Sequence, residues 1–347
     1  MSSKIYLLYL LYIMSNITIN NTFGIPATAD RYLAVSRESE LCALLADSSI
    51  VEKPCLILGG GSNMVFSRHF PGTIIHLENK GIRLVEAQPD SDDLLVEAAA
   101  GEVWDDFVRH CISHGWHGAE NLVAIPGTVG AAPVQNVGAY GMEAKDIIHS
   151  VRTFEVGTGN ERIFQNEECL FAYRNSIFKQ ELKGRYVVWS VTFRLHKTFV
   201  PNIRYQALTD ALAAAGITNP TPQQLADTIA EVRWSKLPRP EVMGSAGSFF
   251  KNPVVTTQHY ERLKAEYPDL VAYPVPDGYK LAAGWLIEHA GWKGRSMGRC
   301  GVYPKQALVL VNLGGCTGAE VVALADAITA DIQARFGVTL EKEAIIV

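Results

Sequence analysis

Three consecutive glycines followed by two small polar residues form the first segment of the chain whose residue types could do chemistry. Gly59, Gly60 and Gly61 are followed by Ser62 and Asn63. Glycine permits positive φ and a close approach of the backbone to a ligand, and successive N–H groups in such a turn form an anion-binding concavity. The segment suits a pyrophosphate, although a plain tight turn explains the glycines equally well.

This glycine segment lacks the features of the two common phosphate loops. Met64 stands where a Rossmann fingerprint has its third glycine, and the sequence MVFS that starts there is typical of a strand. The Gly-Lys-Ser/Thr ending of a P-loop is also missing after the glycines. A flavin-free nicotinamide dehydrogenase is therefore disfavoured.

A second glycine-rich segment covers residues 125–141, with the sequence IPGTVGAAPVQNVGAYG. Its prolines and glycines exclude a helix interior or a central strand. A long structured loop in a compact domain is usually functional, although an irregular connection packed under a sheet has the same composition. Two such segments in one half of the chain favour a dinucleotide that lies extended across the domain.

The bulk composition excludes several functional classes. The chain has 347 residues, enough for two or three domains, and its formal net charge of -5 gives no basic nucleic-acid footprint. Six cysteines occur without a CxxC pair, which predicts free thiols in a reducing cytosol and no metal site.

The N-terminus allows two interpretations. Residues 5–14 read IYLLYLLYIM, a run too short to span a bilayer. The favoured interpretation is that translation starts at Met14 and that residues 1–13 are an upstream extension. A signal peptide is the competitor, although no small-residue cleavage site follows the run.

The helices and strands expected around these segments indicate an α+β chain. After an extension over 1–20, we expect regions at 21–80, 81–200 and 218–337, and a C-terminal strand over 338–347 that returns to the active site. Apolar spacing predicts an amphipathic helix with Val103 on its buried face and a helix over KLAAGWLIEHAG, at 280–291. Capping residues predict helices that begin at Thr221 and at Thr317, the second ending at Gly337.

Five motifs occur in order: LILGGGSN, ENLVAIPGTVGAAPVQNVGAYG, FAYRNSIFK, RWSKLPRP and SAGSFFKNP. In this combination the chain resembles the UDP-N-acetylenolpyruvoylglucosamine reductase (MurB) family from about Asn21 to the C-terminus. The resemblance implies three domains, with a vanillyl-alcohol-oxidase/PCMH-type FAD-binding domain and a C-terminal substrate domain. It also suggests the longer subtype, in which a tyrosine, here Tyr205, gates the substrate.

The resemblance implies FAD and NADPH as cofactors and the reduction of UDP-N-acetylglucosamine enolpyruvate to UDP-N-acetylmuramate for peptidoglycan synthesis. It further implies a cytoplasmic monomer without nucleic-acid or membrane partners. The implied cofactor-binding residues are Gly59, Gly60, Gly61, Ser62, Asn63, Ile125, Pro126, Gly127, Gly130, Ala131, Ala132, Gln135, Asn136, Gly138, Ala139, Tyr140, Gly141 and Tyr173.

Three residues take catalytic roles through the same resemblance. Ser248 is the expected proton donor to C2, and Arg174 suits a carboxylate and developing enolate charge. Glu343 is expected to hold or orient a proton, with Glu341 as its rival. A loop serine, an ordinary salt bridge and an exposed edge strand are the competing interpretations. Many relatives have Val-Arg after this glutamate, whereas here Ala344 follows, which removes one positive charge.

The substrate-binding positions implied by the resemblance are Tyr205, Arg233, Lys236, Asn252 and Gln306. Arg233 and Lys236 would meet the diphosphate or carboxylate, although solvated charges are the ordinary alternative. Two rival functions remain to be discriminated: a flavin oxidase that uses oxygen and an alcohol, and a non-catalytic protein that binds FAD or a nucleotide sugar.

Overall fold

The computed structural model describes residues 19–87 and 89–347. Both interpretations of residues 1–13, and nearly all of the extension predicted over 1–20, lie outside the described residues. Within those described ranges, no helix combines the length and the apolar character needed to cross a membrane.

The chain is a mixture of helices and strands, which confirms the predicted α+β class. The helices are α1 (Glu38–Leu45), α2 (Ser48–Val51), α3 (Trp104–Ser113), α4 (Ala132–Gln135), α5 (Gln206–Ala214), α6 (Pro222–Lys236), α7 (Thr257–Glu266), α8 (Ala283–His289) and α9 (Gly318–Phe336). The strands are β1 (Ala29–Val35), β2 (Cys55–Leu58), β3 (Met64–Val65), β4 (Phe70–Leu77), β5 (Ile82–Ala87), β6 (Asp93–Ala99), β7 (Gly138–Ala139), β8 (Met142–Glu143), β9 (Ile148–Glu155), β10 (Glu161–Gln165), β11 (Tyr186–His196), β12 (Ser245–Ser248), β13 (Val254–Val255), β14 (Ala272–Val275), β15 (Gly278–Leu281), β16 (Ser296–Met297), β17 (Cys300–Val302), β18 (Val309–Asn312) and β19 (Ile345–Ile346).

The described residues divide into two compact units. The first contains Ala29–Gly60 and Pro71–Ser235, and the second contains 19–28, 61–70 and Lys236–Val347. The predicted boundaries of three sequence regions stay a prediction.

Among the described residues, the first unit has a smaller and a larger sheet besides the two-stranded sheet β7-β8. The smaller has the order β1-β4-β2, and β2 runs parallel to β4. The larger is antiparallel with the order β10-β9-β11-β6-β5. Helix α3 covers this sheet, and its Phe107 ring lies 4.6 Å from the Phe193 ring of β11. The amphipathic helix is thus confirmed, except that Val103 precedes it and is 42% exposed, because an N-cap side chain does not follow the helical periodicity.

The second unit is built around the sheet β12-β18-β17-β16 and the small sheet β13-β15-β14. The capping box between Thr317 and Glu320 opens α9, and Gly337 ends it at φ 67°, as predicted. The helix predicted over 280–291 is shorter than expected, since Lys280 and Leu281 belong to β15. Of the C-terminal strand predicted over 338–347, only Ile345–Ile346 form a strand, β19, which pairs parallel to β3. The prediction was too long, because the residues before β19 make only an isolated bridge, between Lys342 and Phe250.

One cysteine pair contradicts the prediction of six free thiols. Cys300 on β17 and Cys316 before α9 form a disulfide, with their Cα atoms 5.8 Å apart. The remaining cysteines, Cys42, Cys55, Cys111 and Cys169, are free. A separation of 16 residues gave no sign of the pairing, which depends on where β17 and the start of α9 lie in the fold.

Candidate active site

The two glycine-rich segments that were predicted to bind a dinucleotide lie against each other in the first unit. A Cβ atom on Gly59 would stand 2.3 Å from Oγ1 of Thr128, and one on Gly60 would stand 3.3 Å from the Cα of Gly127. Side chains at these two positions would therefore push the segments apart. The missing Cβ atoms let two stretches of backbone approach each other closely.

Backbone hydrogen bonds from the segment after β6 hold the start of the second glycine segment. The Trp104 amide donates to the Gly127 carbonyl at 3.0 Å, and the Val129 amide donates to the Glu102 carbonyl at 2.9 Å. The Gly130 amide donates to the Ala100 carbonyl at 2.9 Å. These bonds explain how an irregular segment can be buried, because its polar groups are satisfied without a sheet ladder.

Arg174 lies in a tight turn that docks on the same glycine segment. Ala172 and Asn175 exchange two backbone hydrogen bonds of 3.1 Å, and Arg174 between them has φ 53°. Its Nη2 donates to the Gly138 carbonyl at 2.8 Å and its Nη1 to the Asn136 carbonyl at 3.4 Å. The structure thus brings Arg174 to the predicted cofactor residues. Adjacent Tyr173 is 42% exposed.

Left-handed backbone at residues other than glycine is concentrated in this part of the first unit. Ala124, Asn136, Tyr140 and Arg174 have φ between 46° and 58°, and Leu170 is the further example among the residues described. Such conformations are uncommon outside glycine and accumulate at ligand-binding sites. Ala124 precedes the second glycine segment, Asn136 and Tyr140 lie within it, and Arg174 docks on it. The backbone conformation therefore marks the same site as the motifs.

Tyr140, Tyr205 and Arg233 form a group in the first unit. The two tyrosine rings meet edge to face, with centroids 5.3 Å apart. Burial raises the pKa of Tyr140, which the nearby Arg233 cation opposes. The Nε of Arg233 is buried and has no hydrogen-bond partner among residues 19–87 and 89–347, and burial lowers the pKa of this guanidinium. An anionic ligand would satisfy this donor.

Sequence reasoning missed Asn121, which supports this tyrosine pair. Asn121 is buried, and its Nδ2 donates to the carbonyls of Tyr140 at 3.1 Å and Asn202 at 2.8 Å. It therefore joins the end of the second glycine segment to the chain that leads into Tyr205. Its place in the quoted motif ENLVAIPG was the signal that could have identified it.

Ser248 and Glu343 lie on neighbouring stretches of backbone in the second unit. Ser248 pairs with Val309 of β18. The Glu343 amide donates to the carbonyl of Phe249, the residue after Ser248, at 2.8 Å. A register shift interrupts β12 before Ser248, where Gly247 has φ 68°. Such bulges re-aim side chains next to active sites, and they are consistent with a serine placed for chemistry.

Glu343 and its rival Glu341 have different surroundings. The side chain of Glu341 is 70% exposed and forms an ion pair with Lys251. The Glu343 backbone carbonyl accepts a hydrogen bond from Nδ2 of Asn63 at 3.3 Å, and the Asn63 carbonyl accepts one from the Ile345 amide at 2.9 Å. The predicted cofactor residue Asn63 and the predicted catalytic residue Glu343 are therefore in contact.

Two of the predicted substrate residues meet at the start of α8. Oδ1 of Asn252 accepts a hydrogen bond from the Ala283 amide at 2.9 Å. Oε1 of Gln306 lies 3.3 Å from the position of a Cβ on Gly284, and it accepts from the Leu308 amide at 3.2 Å.

The predicted site residues are divided between the two units. Those in the first unit are Gly59, Gly60, residues 125–141, Tyr173, Arg174, Tyr205 and Arg233. Those in the second unit are Gly61, Ser62, Asn63, Lys236, Ser248, Asn252, Gln306 and Glu343.

Two domain families match the chain. Residues 29–164 match the FAD binding domain family, and residues 239–347 match the C-terminal domain of UDP-N-acetylenolpyruvoylglucosamine reductase. The FAD-binding domain predicted from the motifs is thereby confirmed.

Known proteins resemble the chain over nearly its whole length. It is 49% identical over 329 residues to the UDP-N-acetylenolpyruvoylglucosamine reductase of Burkholderia cenocepacia, with 94% of both chains covered. The reductase of the same name from Azoarcus sp. is 49% identical over 94% of this chain and 95% of its own. The crystal structure of the Thermus caldophilus reductase is 23% identical and has the same fold, with a TM-score of 0.63 over 94% of this chain and 95% of its own. The sequence identities and the domain matches together establish that the chain belongs to the UDP-N-acetylenolpyruvoylglucosamine reductase family.

Proposed function

We propose that this chain reduces UDP-N-acetylglucosamine enolpyruvate to UDP-N-acetylmuramate with FAD as its bound cofactor and NADPH as the hydride source. The observation that carries the proposal is the 49% identity, over 94% of both chains, to a reductase of this name. The choice of NADPH over NADH rests on the family resemblance alone. The monomeric state and the cytoplasmic location stay predictions.

The glycine segments of the first unit fit an extended dinucleotide such as FAD. Gly59 and Gly60 present no side chain toward Gly127 and Thr128, so their backbone N–H groups could serve as donors for a pyrophosphate. When bound, FAD would take up a hydride from NADPH and transfer it to C3 of the enolpyruvyl group.

Ser248 is the residue to which we assign the proton for C2. Serine is a weak acid, so it can serve only a strongly basic, carbanion-like centre such as the one that hydride addition at C3 creates. Ser248 is partly exposed, and no other described residue comes within 4 Å of the Cβ position of the adjacent Gly247. The substrate could therefore approach the hydroxyl closely.

Arg174 and Glu343 are assigned to the charge that develops on the substrate carboxylate. The carbonyls of Asn136 and Gly138 orient the Arg174 guanidinium before the substrate arrives. A preoriented cation stabilises negative charge in the transition state without reorganisation. Glu343 would orient or hold a proton near the same carboxyl group, and the exposed ion pair of Glu341 makes that glutamate the weaker candidate.

The remaining polar positions suit a nucleotide sugar. The Nε of Arg233, which has no partner in the described part of the chain, is a donor for the diphosphate or the carboxylate. Tyr205 against Tyr140 suits a side chain that closes over the ligand. Lys236, Asn252 and Gln306 are assigned to the substrate on the resemblance alone.

The proposal is tested by mixing the FAD-loaded protein with NADPH and UDP-N-acetylglucosamine enolpyruvate under nitrogen. We expect one NADPH consumed for each substrate converted, and a product heavier by two hydrogen atoms in mass spectrometry. A parallel run with NADH tests the nucleotide preference. NADPH consumption that requires oxygen and leaves the substrate unchanged would instead support the flavin oxidase, and FAD binding without any turnover would support the non-catalytic protein.

A further inference from the structure

We propose that Asp105 is a positioning residue, which holds the entry of the second glycine segment and links α3, through Arg109, to α6, the helix that carries Arg233. This inference rests on the proposed function, in which the second glycine segment binds FAD and Arg233 binds the substrate. Asp105 lies on the first turn of α3. The sequence predicted the apolar face of this helix but no role for its polar residues.

The first contact joins Asp105 to the backbone before the glycine segment. Oδ1 of Asp105 accepts a hydrogen bond from the Ala124 amide at 2.5 Å. Ala124 is buried and has φ 58°, a conformation that residues with a Cβ rarely adopt. Ile125, Pro126 and Gly127 follow directly, so a change at Ala124 would alter the direction in which the segment leaves.

The second set of contacts joins Asp105 to α6, the helix that carries Arg233. Oδ2 of Asp105 accepts from Nε of Arg109 at 3.0 Å, and Nη1 of Arg109 donates to Oδ1 of Asp227 at 3.4 Å. Burial and the neighbouring Arg174 cation lower the pKa of Arg233, whereas Tyr140 and Asp105 act in the opposite direction. Asp105 is thus linked through Arg109 to Asp227 on the helix that carries Arg233.

The Asp105 carboxylate can be changed without removing the backbone hydrogen bonds that hold the second glycine segment. The neighbouring contacts, from Trp104 to Gly127 and from Val129 to Glu102, use backbone atoms and would survive a side-chain substitution. Asp106 provides a matched control, because it is an exposed acid on the same first turn of α3. It shares the favourable interaction with the helix dipole but has no role in this proposal.

Three variants separate the contact of Asp105 with Ala124 from its link to α6: Asp105→Ala, Asp105→Asn and Asp106→Asn. FAD affinity is measured by titration of apoprotein, and the KM for UDP-N-acetylglucosamine enolpyruvate is measured with FAD saturating. For Asp105→Ala we expect the Kd of FAD to rise about tenfold or more, since a buried amide loses a charged acceptor. Asp105→Asn retains an acceptor oxygen for the Ala124 amide, so its Kd should stay within about threefold of wild type, while its substrate KM rises because the charged link from Asp105 through Arg109 to α6 is weakened.

Asp106→Asn should match wild type in both measurements. The proposal is overturned if Asp105→Ala binds FAD like wild type, or if Asp106→Asn loses as much as the Asp105 variants, which would indicate a helix-dipole effect. Should Asp105→Ala fail to fold, the substrate KM of Asp105→Asn is compared with that of Asp106→Asn. A higher KM for Asp105→Asn supports the proposal, and equal values overturn it. A wild-type protein that neither binds FAD nor converts substrate would refute the proposed function instead, and these outcomes are distinguishable.

Discussion

Replacing Gly59 by alanine tests whether close contact between the two glycine segments is required for FAD binding. The added Cβ would stand 2.3 Å from Oγ1 of Thr128, whereas the Cβ and Cγ2 of Thr128 would both lie at 3.5 Å, an ordinary contact. The collision therefore involves one atom of one side chain. Gly59 does not have left-handed φ, so the backbone itself accepts alanine.

The size of the effect follows from how this collision can be relieved. Rotating Thr128 away from its preferred rotamer costs about 0.5–1.5 kcal/mol, and shifting packed backbone costs about 1–3 kcal/mol. If this cost falls on the conformation that binds FAD, the Kd of FAD should rise roughly 2- to 150-fold. The expected change lies toward the lower end if Thr128 rotates.

Removing the colliding atom provides an internal control. Thr128→Ala deletes Oγ1 and leaves only the Cβ at 3.5 Å, so Gly59→Ala combined with Thr128→Ala should recover most of the FAD affinity. Titration of the four apoproteins by flavin fluorescence gives the coupling free energy, which we expect to be about 1–3 kcal/mol. The reasoning is refuted if Gly59→Ala binds FAD like wild type, or if the double variant is as weak as the single one.

Three further predictions concern the second unit. Ser248→Ala should slow substrate reduction by about 10²- to 10⁴-fold while flavin reduction by NADPH stays unchanged in stopped-flow absorbance, and slowing of both steps would contradict the proton-donor role. The hydrogen bonds from Arg299 and Thr317 lower the pKa of Glu320 from its ordinary 4.5 to about 2, so the ionised carboxylate stabilises the fold above pH 4.5 and this stabilisation is lost as the pH falls toward 2. The melting-temperature gap between wild type and Glu320→Gln should therefore be present at pH 7 and close by pH 2, and a gap independent of pH would contradict this reasoning. Alkylation of the unfolded, unreduced protein should modify four of the six cysteines, with Cys300 and Cys316 protected until a reductant is added, and modification of all six would contradict the disulfide.

Elements with strong local signals could be predicted from the sequence. The last helix begins at Thr317 and ends at Gly337 because a capping box and a left-handed glycine mark its two ends. The two glycine segments stood out because their composition excludes regular structure. In each case the cause of the structure lies within a few neighbouring residues.

Features that depend on distant residues could not be predicted in the same way. Nothing at Ala124 signals its left-handed backbone, which depends on a hydrogen bond to Asp105 on another element. The roles of Asp105 and Asn121 come from contacts made across the fold, and an apolar periodicity gives no information about the polar residues between its positions. The disulfide of Cys300 likewise follows from sheet topology and helix placement.

The central claim, a flavin that carries a hydride from NADPH to the enolpyruvyl substrate, is tested most directly by the visible spectrum of the protein without oxygen. NADPH is added first, and UDP-N-acetylglucosamine enolpyruvate follows. The account predicts that the yellow flavin band bleaches with NADPH and returns when the substrate is added. A band that bleaches but does not return would contradict the substrate assignment, and a protein that remains colourless after reconstitution with FAD would contradict the cofactor assignment as well.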